Sequence, residues 1–534
     1  MANIIRAPCD EGVILARASV SPCTKTQGRW VLAATILASS MAFIDGTVVN
    51  VALPFLQKNL NATVIGVQWV VEAYSLFLSA LLLVGGSLGD RYGRKLIFAI
   101  GISIFALASA WCGLATSIAQ LIVARSIQGV GGALLVPGSL AIISVSFGPE
   151  QRGRAIGTWS GFSAITTAIG PVLGGWLVEH VSWRVVFFLN LPVAAAVLII
   201  LIWRVPESRD TEETGPVDWR GGALATIGLA GLVYGLIESS RASFRNATVI
   251  TSLVIALVSL VVFVVHEARA QNPMLPLHLF RSRNFSGANV LTLLLYAALG
   301  GTLFFLTLNL IQIQGYSATA AGAALLPFVL IMFALSRWSG GLIDRFGARL
   351  PLMIGPVIAA VGFVTFAIVG LSADYWRSMF PGVVVLGLGM AVSVAPLTTT
   401  VMGSVKESQS GVASGINNAV SRTAGLLAIA IFGVIMLHTF SQNFGSRLVN
   451  IKIPDETRHS LYEQRVKLSG IEMPPEMDEE TRKQLKNAVA DSFLSGFRLI
   501  MLIAAALSLA SAASTWLMIR DDRRVDGKKV NGKW

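Results

Sequence analysis

Apolar runs of about twenty residues recur from one end of this chain to the other, separated by short charged or glycine-rich connections. A run of that length is what a helix needs to cross about 30 Å of hydrocarbon. Fourteen such segments are present, near residues 30–53, 67–88, 96–115, 119–143, 155–179, 185–203, 219–238, 248–267, 287–312, 320–343, 350–371, 378–402, 411–437 and 494–518. They are continuous and lack the polar alternation of a lumen-facing strand, so the spanning element is the helix and not a barrel strand. The predicted fold class is therefore an all-α polytopic membrane protein. A soluble reading of 534 residues, three or four domains by length alone, fails on composition. Only 13% of the residues are charged, about half the share in a soluble protein of about 25%.

The net charge of +12 does not point to nucleic acid, because the basic residues form no stripe. They sit in the short connections, where such charge fixes orientation. With the N-terminus inside, one set of segments carries Arg6, Arg17, Lys25, Arg29, Arg91, Arg94, Lys95, Arg152, Arg154, Arg204, Arg209, Arg220, Arg269, Arg281, Arg283, Arg345, Arg349, Lys406 and the basic tail after Met518. The short loops of the other side hold only Lys58, Arg184, Arg241, Arg245 and Arg377. The bias keeps its sign at every crossing, which predicts an even number of spans, both termini in the cytoplasm and a multi-pass protein of the inner (plasma) membrane. Cys9, Cys23 and Cys112 form neither a disulfide framework nor a metal site. Residues 1–28 are mixed and polar, unlike a signal peptide.

The stretch "GSLGDRYGRKL", residues 86–96, is written again as "GGLIDRFGARL", residues 340–350. Gly86 aligns with Gly340, Asp90 with Asp344, Arg91 with Arg345, Gly93 with Gly347 and Leu96 with Leu350. The first copy joins spans 2 and 3, the second spans 10 and 11. With spans 7 and 8 set aside, the chain reads as six helices, two extra helices, then six more. The domain organisation expected is a tail 1–29, a six-helix bundle 30–204, two additional helices with linkers 205–286, a second six-helix bundle 287–518 with an outside excursion 438–493, and a basic tail 519–534. Internal halves of this kind mark secondary transporters, with the substrate site between them.

Several motifs add a resemblance. "GSLGDRYGRKL" resembles the loop 2–3 signature of the major facilitator superfamily, with Gly89 where alanine or serine is usual. "LIVARSIQGVGGA", 121–133, is similar to the fourth-helix signature with its intramembrane arginine, here Arg125. "GPVLGG", 170–175, looks like the fifth-helix antiporter signature, although Thr166 stands where a further glycine is usual. "FIDGTVVNVALP", 43–54, resembles the first-helix signature of the fourteen-helix drug:proton antiporter branch, which the two extra helices also fit. The resemblance runs from Trp30 to Met518. It implies a major facilitator fold and a proton-coupled, multidrug-type exporter of hydrophobic or cationic small molecules, working by alternating access. It implies that Gly86, Asp90, Arg91, Gly93, Arg94, Asp344 and Arg345 form conformational latches on the cytoplasmic side, and that Gly170, Pro171, Gly174 and Gly175 serve the interface between the halves. Plain close packing accounts for those helix glycines equally well.

A charge inside a span is expensive and is a functional hypothesis by default. Asp45 lies roughly 14 Å below the outer end of span 1, Glu72 roughly 8 Å into span 2 and Arg125 roughly 9 Å into span 4, at 1.5 Å per residue. All three are expected in the outer half of the membrane. Desolvation and a neighbouring arginine pull a carboxylate's proton affinity in opposite directions, which is what a proton-coupled exchanger needs. Asp45 is the first candidate for the coupling carboxylate, Glu72 a second for a proton or a cationic substrate, and Arg125 the cavity arginine that tunes them. The competing readings are local: Asp45 pinning Thr47 and Asn50, Glu72 wetted from outside near Gln68 and Trp69, and Arg125 bonding backbone carbonyls of span 1. Arg337 and Arg422 are further intramembrane arginines.

No G-x-x-x-x-G-K-[ST] occurs, so energy from a built-in ATPase is not expected. The five histidines form no cluster and H-E-x-x-H is absent. No cofactor or metal and no enzymatic activity are predicted. The expected partners are a small lipophilic substrate, protons and the lipid bilayer; a periplasmic adaptor is neither required nor excluded. An importer or exporter of a specific metabolite is the alternative, and a membrane enzyme would need a catalytic cluster that the sequence lacks.

Overall fold

The computed structural model describes residues 25–520 except 148, 209–215, 243, 372–373, 406–408 and 475–476, together with 524–525 and 528–529. Among the described residues, thirteen helices are long and apolar enough to cross a membrane. The helix Pro149–His180 supplies the fourteenth. In chain order they are α1 (Lys25–Asn59), α2 (Val64–Tyr92), α3 (Arg94–Leu114), α4 (Ile118–Ser146), α5 (Pro149–His180), α6 (Trp183–Arg204), α7 (Trp219–Ala242), α8 (Ala247–Arg269), α9 (Arg283–Ile313), α10 (Ala318–Ala324 and Leu326–Gly340), α11 (Arg349–Ala367), α12 (Tyr375–Gly403), α13 (Ser410–Leu448) and α14 (Glu479–Met518). The sole β element among the described residues is a two-residue antiparallel pair, Arg524–Val525 with Lys528–Lys529.

The first and last six helices pack in the same order. In one half α4 contacts α2 and α3, while α5 and α6 lie on α1. In the other α12 contacts α10 and α11, while α13 and α14 lie on α9. Glycine sets the closest contacts. A Cβ on Gly101 would reach the Gly131 carbonyl of α4, and one on Gly355 would reach the Gly389 carbonyl of α12. Gly101 and Gly355 stand apart by the same interval as Gly86 and Gly340, so the repeat extends from the loop into the packing. Without water to drive helices together in lipid, such small-residue approach is a principal source of cohesion.

Two seams join the halves: α5 against α10, and α2 against α13. The inserted α7 lies beside the second seam, touching both α2 and α13, and α8 packs on α7. Leu229, Val233 and Ile237 of α7 share one apolar cluster with Leu76 and Ala80 of α2 and Leu426 and Ala430 of α13. Most of α8 faces outward, with Val254, Leu257, Val258 and Val261 exposed.

One face of the bundle carries the excursion between α13 and α14. It is shorter than 438–493, because α13 continues to Leu448 and α14 begins at Glu479. It holds a helix, Asp455–Glu463, and a 3-10 turn, Gln464–Gly470. The turn covers the line between the halves. Gln57 of α1 donates to the Lys467 carbonyl at 3.1 Å, Gln312 of α9 donates to Gln57 at 3.1 Å, and Ser469 donates to Gln312. Leu468 is pressed into the core beneath.

Gly131→Val drives a branched side chain into the Phe105 backbone. Overpacking of this kind costs about 1–3 kcal/mol, so its melting temperature in detergent should fall clearly. Gly403→Ala, at a position with nothing within 4 Å, should melt like the wild type. Equal melting of both variants would remove the α3–α4 contact as a determinant of the fold.

Candidate functional site

Asp45 sits mid-way along α1, where no water reaches it; it and Arg125 of α4 are each 1% exposed. The Arg125 guanidinium donates to Asp45 Oδ2 at 2.5 Å. It also donates to Gln128 Oε1 at 2.7 Å and, through Nε, to the Val70 carbonyl of α2 at 3.1 Å. Gln128, one turn on from Arg125, donates to Asp45 Oδ1 at 2.8 Å. Asn190 reaches the same oxygen at 3.3 Å. Asn190 also donates to Ser109 at 2.9 Å, and Ser109 donates to the Phe187 carbonyl at 2.8 Å. A break in α6 at Leu189 places Asn190 here. The flat face of Arg125 lies over the Tyr74 ring of α2, 4.2 Å from its centre. Side chains of α1, α4 and α6, with the backbone of α2 and, through Asn190, Ser109 of α3, thus converge on one ion pair in which both carboxylate oxygens have donors.

Asp45 does not pin its neighbours. Thr47 donates to the Phe43 carbonyl and Asn50 to the Gly46 carbonyl, both on their own helix. Arg125 bonds backbone as well as side chain, but of α2 rather than α1.

Glu72 is placed differently. It is 0% exposed, and neither carboxylate oxygen has a hydrogen-bond partner. It therefore is not a wetted interfacial glutamate. Glu72 lies one turn after Gln68 and so shares its face of α2. Gln68 donates to the Ile429 carbonyl of α13 at 3.0 Å. The structure unites Asp45 with Arg125 and keeps Glu72 apart, on the seam between the halves.

The glycine-proline stretch of α5 lies between α1 and α10. A Cβ on Gly170 would strike Thr47 and one on Gly174 would strike Val48, both on α1. One on Gly175 would strike the Ala318 backbone, and one on Gly322 of α10 would strike the Pro171 carbonyl. Gly170 and Gly174 therefore lie on the contact with α1 within the first half, and Pro171 and Gly175 on the α5–α10 seam. Glu179, at the end of α5, fastens it by accepting from the Thr319 hydroxyl and, at 3.2 Å, the Thr319 amide.

In the first loop repeat, Asp90 pairs with Arg94 at 2.7 Å. Gly93 turns the chain with φ +119° and donates to the Gly89 carbonyl. Gly86 borders Pro137 of α4, and Arg91 lies over Tyr92. The N-terminus of α3 is capped by Glu207, which accepts from the amides of Lys95 at 2.9 Å and Leu96 at 3.0 Å. In the second repeat Gly347 again has positive φ, +76°, and donates to the Ile343 carbonyl at 2.9 Å. Arg345 is exposed, and Arg349 donates to the Trp516 carbonyl at 2.7 Å. The Asp344 and Arg337 side chains lie outside the described residues. Sequence reasoning missed Gln128, Asn190 and Glu207. Gln128 had a signal, since it is one turn from Arg125 within an apolar helix.

Two six-helix halves in repeated order, a buried ion pair in one of them and glycine seams between them define a multi-pass membrane transporter. The chain belongs to the major facilitator superfamily: residues 35–429 match the family profile described as Major Facilitator Superfamily. It is 32% identical to the tetracenomycin C resistance and export protein of Streptomyces glaucescens over 498 residues, 92% of each chain. It is 33% identical to the multidrug resistance protein Stp of Mycobacterium tuberculosis over 512 residues, 94% of each. A solved bacterial homolog of the human lysosomal transporter Spinster, in an inward-facing, unoccupied conformation, shares the fold with a TM-score of 0.63 at 15% identity, covering 94% of this chain and 100% of that one.

Arg125→Leu leaves the Asp45 charge buried without its partner, which costs about 3–5 kcal/mol. Arg125→Leu should therefore melt far below the wild type in detergent, and Asp45→Asn combined with Arg125→Leu should recover part of that loss. A double variant that melts no higher than Arg125→Leu would show that the pair is not what organises these helices.

Proposed function

We propose that this protein is a proton-coupled exporter of lipophilic small molecules, of the multidrug efflux type, and that Glu72 carries the coupling proton. The observation that carries the reading is the Glu72 carboxyl: fully buried, unpartnered, and on α2 where it meets α13 of the other half. An ionised carboxylate without a partner is costly there, and a neutral acid is not. Motion at the seam would expose the group and release its proton, and a lipophilic cation can compete for it. Asp45 is less suited to that task, because its charge is already met by Arg125, Gln128 and Asn190. Asp45 and Arg125 instead hold the first half rigid around the transport path. The printed names of the relatives, a resistance and export protein and a multidrug resistance protein, support the direction and the substrate class.

The distribution of lysine and arginine supports cytoplasmic termini in a plasma membrane. The face that bears the excursion is then the outside. Glu179 with Thr319 and Gln57 with Gln312 and Lys467 close that face between the halves, so this conformation serves loading from the cytoplasm. Gly86, Asp90, Arg91, Gly93 and Arg94, with Asp344 and Arg345 in the second repeat, act as the cytoplasmic latches, and the Asp90–Arg94 pair would re-form against other partners when that side closes. Gly170, Pro171, Gly174 and Gly175 seal the path along α5.

The reading is tested in inside-out vesicles with an acid interior and a fluorescent pH reporter. Addition of lipophilic cations or neutral drugs should discharge the gradient with wild-type protein and with Asp45→Asn at reduced rate, and not with Glu72→Gln. Discharge by Glu72→Gln at the wild-type rate would refute Glu72 as the carrier. A wild type that no compound in a broad panel discharges would refute proton-coupled export.

A further inference from the structure

Arg422 of α13 has no role in the function proposed above. Its Nε is buried without a hydrogen-bond partner. On α2, across the seam, both oxygens of Glu72 are in the same condition. The two helices run antiparallel, and three contacts fix their register. Gln68 donates to the Ile429 carbonyl, the Gln68 side chain lies on Gly433, and Leu83 lies on Gly415. Interpolating between them sets Arg422 level with Leu76, one turn from Glu72, or about 6 Å along the axis at 1.5 Å per residue. Arg422 belongs to the stripe of α13 that meets α2, with Gly415, Leu426 and Gly433 at helical spacing. Glu72 belongs to the facing stripe of α2, between Gln68 and Leu83.

In this conformation the two groups are not joined, since neither Glu72 oxygen accepts a hydrogen bond and Arg422 Nε donates none. The Tyr74 ring already carries Arg125 on its face. The other titratable groups around Glu72 offer it no competing cation. Asp45 and Arg125 are paired on the far side of α2. Tyr234 of α7 stacks obliquely on Trp69, and Glu238 lies one turn beyond it toward the excursion face.

We infer that Arg422 is the cross-half partner of Glu72: when the carboxyl gives its proton to the aqueous phase, the guanidinium pairs with the carboxylate across the α2–α13 seam. A carboxylate buried without a partner on α2 is unfavourable, and pairing with the half-buried guanidinium, whose Nε lacks a partner, relieves it. A long arginine side chain spans one turn by rotamer change and small sliding of the seam. The inference rests on Glu72 being the proton carrier. It makes Arg422 a positioning residue of the coupling step, through which loss of the proton is felt by the other half.

The test uses the full-length protein in proteoliposomes, with substrate-driven proton exchange followed across pH. Arg422→Gln should still bind substrate, while its exchange profile moves to higher pH by about one unit or more, the size of a lost carboxylate–arginine interaction. Arg422→Lys should restore most of the wild-type profile. With Glu72→Gln in place, Arg422→Gln should have no further effect. A wild-type pH profile for Arg422→Gln overturns the inference. Where Arg422→Gln does not reach the membrane, the charge exchange Glu72→Arg with Arg422→Glu decides: recovery of exchange over either reversal alone supports the pair, and no recovery overturns it. Exchange by Glu72→Gln alone at the wild-type rate would instead refute the proton-carrier reading on which the pair depends.

Discussion

Hydrocarbon offers no hydrogen bonds, and nearly everything in this structure follows from that constraint. Each span must satisfy its own backbone, so each is a helix. Polar side chains on the spans face the same demand, and most meet it locally. Thr35 donates to the Val31 carbonyl, Thr292 to Ala288, Thr400 to Pro396 and Ser393 to Gly389, each one turn back along its own helix. Such groups are neutral in effect and carry no information about function. Among the groups not settled this way are the network around Asp45, the unpartnered Glu72 and Asn309, Arg422, the Asn417 bonds to Asn289 and Thr292, and the contacts that close one face between the halves.

Asp45 and Glu72 are the same chemistry in two different surroundings, and the two tasks proposed for them rest on that difference. Both are carboxyls at depth in the same half. Asp45 lies where α1, α3, α4 and α6 meet, and each of its oxygens has a donor. Moving it would break several bonds together, which makes it a fixed point. Glu72 lies where two halves meet, and a boundary between rigid bodies is where surroundings change during a rocking motion. A group with no partner on either side loses nothing when that boundary shifts. The fixed pair and the free carboxyl are therefore complementary, one holding the geometry and the other free to report on it.

The helices and the repeat were legible because their signals are local: apolar length for the spans, and identical residues in identical loops. The pairing of Asp45 with Arg125 was nearly legible, since both stood out as charges at similar depth. The isolation of Glu72 was not. Depth along a helix follows from residue count, whereas the direction a side chain takes around the helix depends on which neighbour lies there. Val70 and Glu72 differ by two positions, and that difference separates the α4 side of α2 from the α13 side. Glu207 was invisible for a related reason. It caps α3 from a linker more than a hundred positions later in the chain, and nothing in its own neighbourhood marks it as a helix cap.

The inserted helices show the same logic on the seam. At its start, α7 is tied to α8 by a polar contact, Asp218 with His266 at 2.8 Å. Against α2 and α13, by contrast, α7 presents leucine, isoleucine and valine to leucine and alanine. Dispersion contacts of that kind are individually weak and have no preferred direction, so they tolerate sliding that a hydrogen bond would resist. In the proposed function, the pair α7–α8 would stay one unit while the seam beside it moves. An apolar cover of this sort is what two buried ionisable groups on a moving boundary require, because access of lipid or of stray water at that point would change the stability of their charged forms independently of transport.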